Sequence, residues 1–215
     1  RQAVEFDAVD HGSARLLPLV YRNLGPDSFD AEVAGRLKGL YRRSWSHNQL
    51  IFKRAAEAIG VLGQAGIETL VTKGASLAIL SYGDVGVRPM DDVDVLVPIS
   101  HTEDAIAALS SAGWSPDHED PLAWTEVHHS LGFAGSDGGN VDLHWFSLWQ
   151  PASDVALWRA AVPLELAGVP TQVRDGLDRG RPGPDDADPL VGQVRHRRAR
   201  VVPARVGVVP PAGAE

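Results

Sequence analysis

Two short alternating stretches constrain the fold of this chain more than any other feature of its sequence. Apolar and polar residues alternate through residues 92–95 (DVDV), at the start of the apolar stretch 93–97, and through residues 140–145 (NVDLHW). Because successive side chains of a strand point to opposite faces, each stretch predicts a strand with one buried and one polar face. Asp94 lies on the polar face of the first strand, and Asp142 and His144 share the polar face of the second.

The remaining pattern predicts a helical N-terminal segment followed by a small mixed sheet. Apolar residues recur at helical spacing from about residue 28 to Gly66, as two helices or one interrupted helix. The elements expected after it are a strand at 67–72, a helix at 75–80, a strand at 93–97, a helix at 102–112 with a capping box at 100–103, and a hairpin of strands at 128–134 and 140–146. We therefore expect an α/β (α+β) fold, with a helical segment at 1–66 and a core at 67–170.

Residues 171–215 differ in composition from the rest of the chain. They contain no Phe, Tyr, Trp, Ile, Met or Lys, but eight Arg and six Pro. Such a segment has few side chains with which to build a core. We interpret it as a low-complexity tail, either a natural disordered one or the out-of-frame translation of a GC-rich gene.

Composition also excludes several classes of function. The 215 residues include no cysteine, which rules out disulfides, thiolate catalysis and cysteine-ligated zinc. The formal net charge of −8 argues against nonspecific binding to a nucleic-acid backbone. No apolar run is long enough to span a bilayer, and the N-terminus has no signal-peptide pattern, so we expect a cytoplasmic protein without a membrane partner.

The acidic residues around the first strand predict a metal site. Strand geometry places the α-carbons of Asp92 and Asp94 about 6.5 to 7 Å apart on one face. Two such carboxylates repel each other unless a cation lies between them, although they could also cap the strand or face water. If the second strand lies beside the first, Asp142 completes a three-carboxylate site suited to Mg²⁺ or Mn²⁺. We expect His144 to support Asp142 rather than to bind metal or zinc.

A possible phosphate site lies between a predicted strand and a helix. Residues 73–76 (KGAS) place a glycine where the backbone can approach a ligand, with Lys73 as a positive charge. We expect Lys73, Gly74 and Ser76 to contact nucleotide phosphates, although a tight turn with a solvated lysine would have the same pattern. Arg88 could hold a phosphate oxygen or pair with one of the aspartates.

These motifs together resemble a known family. Residues 70–97 (LVTKGASLAILSYGDVGVRPMDDVDVLV) and 141–145 (VDLHW) resemble a nucleotidyltransferase family with a Lys-Gly-Ala turn, an Arg-Pro-x-x-Asp-x-Asp strand and a later Asp-Leu-His-Trp strand. That family looks like a branch of the polymerase-beta-like nucleotidyltransferase superfamily. The resemblance covers about residues 50–170 and implies that Asp92 and Asp94 bind two metals and that Asp142 completes the site. Lys73 and Gly74 stand where many superfamily members have a Gly-Ser turn.

The resemblance implies a reaction as well as a fold. It implies attack of an acceptor hydroxyl on the α-phosphorus of a nucleoside triphosphate (NTP), with release of pyrophosphate and a small-molecule, sugar, peptide or protein acceptor. Two alternatives stay open: a nucleotide- or partner-binding module that has lost catalysis, and a glycosyltransferase that uses Asp-x-Asp. Family members usually continue into a helical C-terminal region, which residues 171–215 do not resemble.

Overall fold

The computed structural model describes residues 9–136, 138–147 and 152–174. This part of the chain forms a seven-stranded mixed sheet and seven α-helices. The helices are α1 (His11–Ala14), α2 (Leu17–Leu24), α3 (Ala31–Gln64), α4 (Lys73–Ser76), α5 (Thr102–Ser111), α6 (Pro121–Thr125) and α7 (Ala152–Arg159). The strands are β1 (Leu70–Val71), β2 (Val93–Leu96), β3 (Ser115–Pro116), β4 (Ser130–Ala134), β5 (Asn140–His144), β6 (Ala161–Leu166) and β7 (Val169–Arg174). The predicted α/β (α+β) architecture, with N-terminal helices and a mixed sheet, is confirmed.

The N-terminal helical segment is dominated by one long helix. The Asp30 side chain caps α3 by accepting a hydrogen bond from the Val33 N–H at 2.8 Å, and Gly66 ends the segment with a φ of 75°. The helix then runs for 34 residues, about 50 Å, without a break. Our expectation of two helices or an interrupted helix was wrong, because residues 31–64 contain no proline and keep one buried stripe from end to end.

The order of the strands places the two alternating stretches side by side. The sheet order is β3-β4-β5-β2-β1-β7-β6, so β2 is central and lies between β5 and β1. Strands β2 and β5 are parallel, and the register pairs Asp94 with Asp142. The predicted hairpin is confirmed, since β4 and β5 are antiparallel neighbours on either side of the glycine-rich turn.

The two faces of the sheet differ in what covers them. On one face, Val93, Val95 and Leu143 belong to the main core, to which α3 contributes a row of buried apolar side chains. On the other face, Leu70 and Leu96 pack against Leu157 of α7. Asp94 and Asp142 have the opposite orientation to the core valines, so they lie on the face that α3 does not cover.

Two local expectations near the site were wrong in detail. The capping box at 100–103 does not form: a 3₁₀ turn, Ile99–His101, precedes α5, and the Thr102 hydroxyl donates to the Ile99 carbonyl at 2.9 Å. The helix expected at 75–80 begins earlier, at Lys73, and continues as a π-helix, Leu77–Tyr82. The π-helix has i→i+5 hydrogen bonds instead of the i→i+4 bonds of an α-helix.

The C-terminal part of the described chain adds two strands that the pattern did not predict. Strand β7 is parallel to β1, pairing Val71 with Val173, and antiparallel to β6. The compositional boundary expected between residues 170 and 171 therefore lies inside a strand. The interpretation of the tail from residue 175 onward lies outside the described residues. Among the described helices, none combines the length and apolar character needed to cross a bilayer.

Candidate active site

The register of β2 and β5 brings three predicted site residues into direct contact. His144 Nε2 lies 3.1 Å from Asp94 Oδ1 and 2.9 Å from Asp142 Oδ2. One potential ligand atom from each of these three residues lies within 4.8 Å of the other two. The expectation that Asp142 lies beside the β2 aspartates is confirmed for Asp94. His144 is more central than expected, because its ring lies between the two carboxylates.

Lys73 contacts the same cluster from the turn after β1. Its Nζ donates to Asp94 Oδ1 at 2.6 Å and lies 3.1 Å from His144 Nε2. The backbone of Lys73 has a φ of 48°, in the left-handed region that costs a residue with a side chain about 1–2 kcal/mol. Asp94 therefore has two cationic partners within the chain, and the carboxylate repulsion from which we inferred a metal is partly relieved without one.

The ionisation of this cluster follows from its burial and its hydrogen bonds. Burial disfavours the charged form of Asp94, but hydrogen bonds from His144 and Lys73 outweigh it and lower the pKa of Asp94. Burial likewise disfavours the His144 imidazolium, but hydrogen bonds to Asp142 and Asp94 outweigh it and raise the pKa of His144 to about 9. In the absence of metal, the cluster therefore holds a protonated histidine near neutral pH.

Asp92 lies at the edge of this cluster rather than within it. Partial burial raises the pKa of Asp92, and the charges of Asp94 and Asp142 raise it further. The Asp92 carboxylate is therefore close enough to Asp94 and Asp142 for electrostatic repulsion. It is not among the three residues whose ligand atoms all lie within 4.8 Å of one another. The neighbouring Asp91 has an 86% exposed side chain, 3.9 Å from Nη2 of Arg15. The structure thus separates Asp91 from the candidate site, as the alternation of the sequence predicts.

The His144 contacts predict a pH-dependent stability in metal-free protein. The pKa of His144 rises on folding from its ordinary value of 6.5 to about 9, so the protonated ring stabilises the folded state. This stabilisation is fully present below pH 6.5 and is lost as the pH rises through 9. We expect the free energy of unfolding to fall by about 2–3 kcal/mol over this range. Urea denaturation in EDTA at a series of pH values measures the free energy of unfolding of the native chain and of His144→Gln. Parallel pH profiles of the two proteins would contradict the assignment.

The expected phosphate-binding residues lie next to the carboxylates. A Cβ added to Gly74 would lie 3.3 Å from Nε of Arg88, so the glycine allows this guanidinium to pass close to the backbone. Within the described residues, Arg88 makes no ion pair with an aspartate, which favours a free cation over the structural pairing. Ser76 is buried at 6% exposure, so its hydroxyl is not on the open surface.

Three residues that we did not select from the sequence hold the loop before β2. Asn48 of α3 donates to the carbonyls of Val85 and Arg88 at 2.5 and 2.7 Å, and accepts from the Met90 N–H at 3.2 Å. Farther along the loop, the hydroxyl of Tyr41 and Nε of Arg22 both donate to the Asp84 carboxylate. Helices α2 and α3 together therefore fix the loop that carries the Arg88 and Asp92 side chains.

The sequence contains a signal that Asn48 is structurally important. Asn48 lies seven residues after Tyr41 and seven before Ala55, so it falls on the buried stripe of α3. A polar residue at such a position needs hydrogen-bond partners within the protein. The sequence could therefore have marked Asn48 as structurally important, but not the loop that it binds.

One family model covers most of the chain. No curated protein matches the chain. Residues 12–178 match the model of a family described as uncharacterised nucleotidyltransferases. The matched span contains the Lys-Gly-Ala turn and both aspartate-bearing strands, and it begins in the N-terminal helices that support them. On this match, which covers well over half of the sequence, the chain belongs to the uncharacterised nucleotidyltransferase family.

Proposed function

We propose that this protein transfers a nucleoside monophosphate from an NTP to an acceptor hydroxyl and releases pyrophosphate in a metal-dependent reaction. The observation that carries this proposal is the pairing of Asp94 with Asp142 on adjacent parallel strands. Asp92 lies near enough for both charges to raise its pKa. Membership of a nucleotidyltransferase family supports the class of reaction.

The donor atoms suit a hard divalent cation. Carboxylate oxygens are the ligands that Mg²⁺ and Mn²⁺ favour, and Asp94 and Asp142 present theirs together. We propose that Asp92, Asp94 and Asp142 hold these cations and that His144 supports Asp142 through its 2.9 Å contact. Bound cations would lower the pKa of the acceptor hydroxyl and neutralise the leaving pyrophosphate.

The chain's own residues would then position the reactants. Asp142 accepts the proton of the acceptor hydroxyl as that oxygen forms its bond to the α-phosphorus. The bond from the α-phosphorus to the bridging oxygen breaks, and pyrophosphate leaves with the electron pair. Lys73, which precedes Gly74, and Arg88, whose guanidinium lies beside it, bind the phosphate oxygens. Ser76 stays a predicted contact of the same turn. Alignment and charge supply most of the catalysis in such chemistry.

One observation favours a second candidate, a nucleotide-binding module that no longer catalyses transfer. Asp94 is already paired with Lys73 and His144, and Asp92 lies outside the tight cluster. A chain in which these contacts persist could bind a nucleotide through Lys73 and Arg88 without assembling a catalytic metal site. The two candidates differ in turnover rather than in fold.

Labelled nucleotides distinguish the two candidates. Purified protein is incubated with Mg²⁺ or Mn²⁺ and each of the four labelled NTPs, with cell extract as the source of acceptors. Transfer predicts pyrophosphate release and label on an acceptor, both lost in the double variant Asp92→Asn with Asp94→Asn. Metal-dependent nucleotide binding without release would support the binding module instead. If the double variant binds nucleotide as tightly as the native chain and no transfer is detected, both the proposed metal site and the proposed enzymatic activity are ruled out.

A further inference from the structure

Lys73 is held beside Asp94 by the backbone of the sheet as well as by its side chain. The Thr72 N–H donates to the Asp94 carbonyl at 3.0 Å, which continues the antiparallel pairing of Val71 with Val95. Lys73 is the next residue along the chain, and its Nζ donates to Asp94 Oδ1 at 2.6 Å. Strand pairing therefore keeps the Lys73 side chain within reach of this carboxylate.

The conformation of the turn shows that a lysine at this position has a cost. Within the described residues, only Lys73 and Ala167 combine a side chain with a positive φ, and Ala167 lies in the tight turn between β6 and β7. Lys73 has a φ of 48°, which glycine adopts freely and other residues disfavour. Strain of this kind persists at functional sites when the surrounding structure requires the residue. The strained residue here is the one that brings a cation to Asp94.

The two partners of Asp94 Oδ1 differ in their freedom to leave it. The His144 side chain is 2% exposed and also contacts Asp142 at 2.9 Å, so its ring is held in place. The Lys73 side chain is 47% exposed and has a flexible four-carbon stem. Lys73 can therefore turn toward a ligand in solvent without disturbing the core, whereas His144 cannot.

The ammonium of Lys73 and a divalent cation compete for the Asp94 carboxylate. Mg²⁺ binds carboxylate oxygens at about 2.0–2.1 Å, so an ion on Oδ1 would lie less than about 5 Å from the Lys73 Nζ at any angle. The Asp94 side chain is 12% exposed, so little water screens the repulsion between the two cations. Lys73 therefore opposes metal binding for as long as it contacts Asp94.

An oxyanion gives this ammonium a second partner. Gly74 follows Lys73, and a Cβ added to it would lie 3.3 Å from Nε of Arg88. A phosphate bound at this turn would accept charge-assisted hydrogen bonds from both Lys73 and Arg88. Movement of Lys73 onto the phosphate would free the Asp94 oxygen for a cation.

We propose that Lys73 couples metal binding to phosphate binding, because it weakens the binding of a divalent cation to Asp94 until an oxyanion draws its ammonium away. The inference rests on the metal site of the proposed function, but not on the transfer reaction. It gives Lys73 a role beyond its contact with phosphate: the site fills with metal only together with an anionic ligand. Because coupling between two sites is reciprocal, bound metal strengthens phosphate binding by the same factor.

Binding of Mn²⁺ in the absence of nucleotide tests the competition. Electron paramagnetic resonance of the free ion gives the Kd for the native chain and its variants. Lys73→Met keeps the length of the side chain without its charge, and we expect it to bind Mn²⁺ about tenfold more tightly than the native chain. Lys73→Arg keeps the charge and should bind as weakly as the native chain. Lys53→Met removes the same charge from the exposed side of α3, across the sheet, and should change Kd by less than about twofold.

Inorganic phosphate tests the coupling. The Mn²⁺ titrations are repeated with phosphate at matched ionic strength, and a protein-free blank corrects for the complex of Mn²⁺ with phosphate. We expect phosphate to tighten Mn²⁺ binding by the native chain about fivefold or more. The same addition should change the Kd of Lys73→Met by less than about twofold, because no ammonium is left to be displaced.

The outcomes separate this inference from the proposed function. Equal Mn²⁺ affinity of the native chain and Lys73→Met, or an equal effect of phosphate on both, would overturn the coupling and leave the proposed metal site in place. If no Mn²⁺ binding is lost on Asp94→Asn in either background, the coupling and the proposed metal site are both wrong. Coupling in a protein that transfers no nucleotide would support this inference and contradict the proposed reaction. Tm values show which variants are folded, and Lys73→Gly, which relaxes the turn, replaces Lys73→Met if that variant is unfolded.

Discussion

Replacing Asp94 or Asp142 by Asn is expected to lower kcat/KM for nucleotidyl transfer by about 10³-fold or more. Each substitution keeps the shape of the side chain but removes the negative charge proposed to hold a divalent cation. Asn at position 142 also removes the group proposed to accept the hydroxyl proton. The rate of pyrophosphate release under saturating Mg²⁺, divided by that of the native chain, measures the loss.

Asp91 provides the matched control for these two variants. It lies in the same acidic stretch, but its side chain is 86% exposed and close to Arg15 rather than to the cluster. Asp91→Asn should therefore change kcat/KM by less than about threefold. Losses of similar size at positions 91, 94 and 142 would show a general effect of charge on nucleotide binding. Activity that survives both cluster variants would contradict the proposed metal site.

Replacing Asn48 by Ala is expected to lower the free energy of unfolding by about 3–4 kcal/mol. Asn48 is fully buried and makes three hydrogen bonds to the backbone of the loop at 85–90. Its loss would leave two carbonyls and one N–H without a protein partner, each at a cost of about 1–3 kcal/mol when buried. Urea denaturation followed by circular dichroism measures the change.

Asn48→Ala should also affect the site, because the same loop carries Arg88 and leads to Asp92. We expect KM for the NTP to rise in conditions where the variant is still folded. Ser46→Ala, on the exposed side of the same helix, is the control and should change stability by less than about 0.5 kcal/mol. A loss below 1 kcal/mol in Asn48→Ala would show that water or a rearranged loop replaces the three bonds.

Alternation and periodicity predicted the parts of the fold in which burial has a regular period. The β4–β5 hairpin was located because apolar core residues alternate along its strands, β2 because Val93 and Val95 alternate with aspartates, and α3 because it has one buried stripe. The continuity of α3 was not predicted, because apolar residues at helical spacing show the same pattern in one long helix as in two consecutive helices. Strand β7 was missed because residues 171–174 were assigned to the tail on composition, and β6 because Pro163 interrupts its short apolar run.

The sequence by itself determined the carboxylates at positions 92, 94 and 142, their shared polar faces and the family to which the chain belongs. The tertiary structure alone decided how they are neutralised and what lies around them. The contacts of Lys73 and of His144 with Asp94 each join residues from different strands or turns. Local sequence patterns record which face a side chain occupies, but only strand order and register set the distances between such side chains.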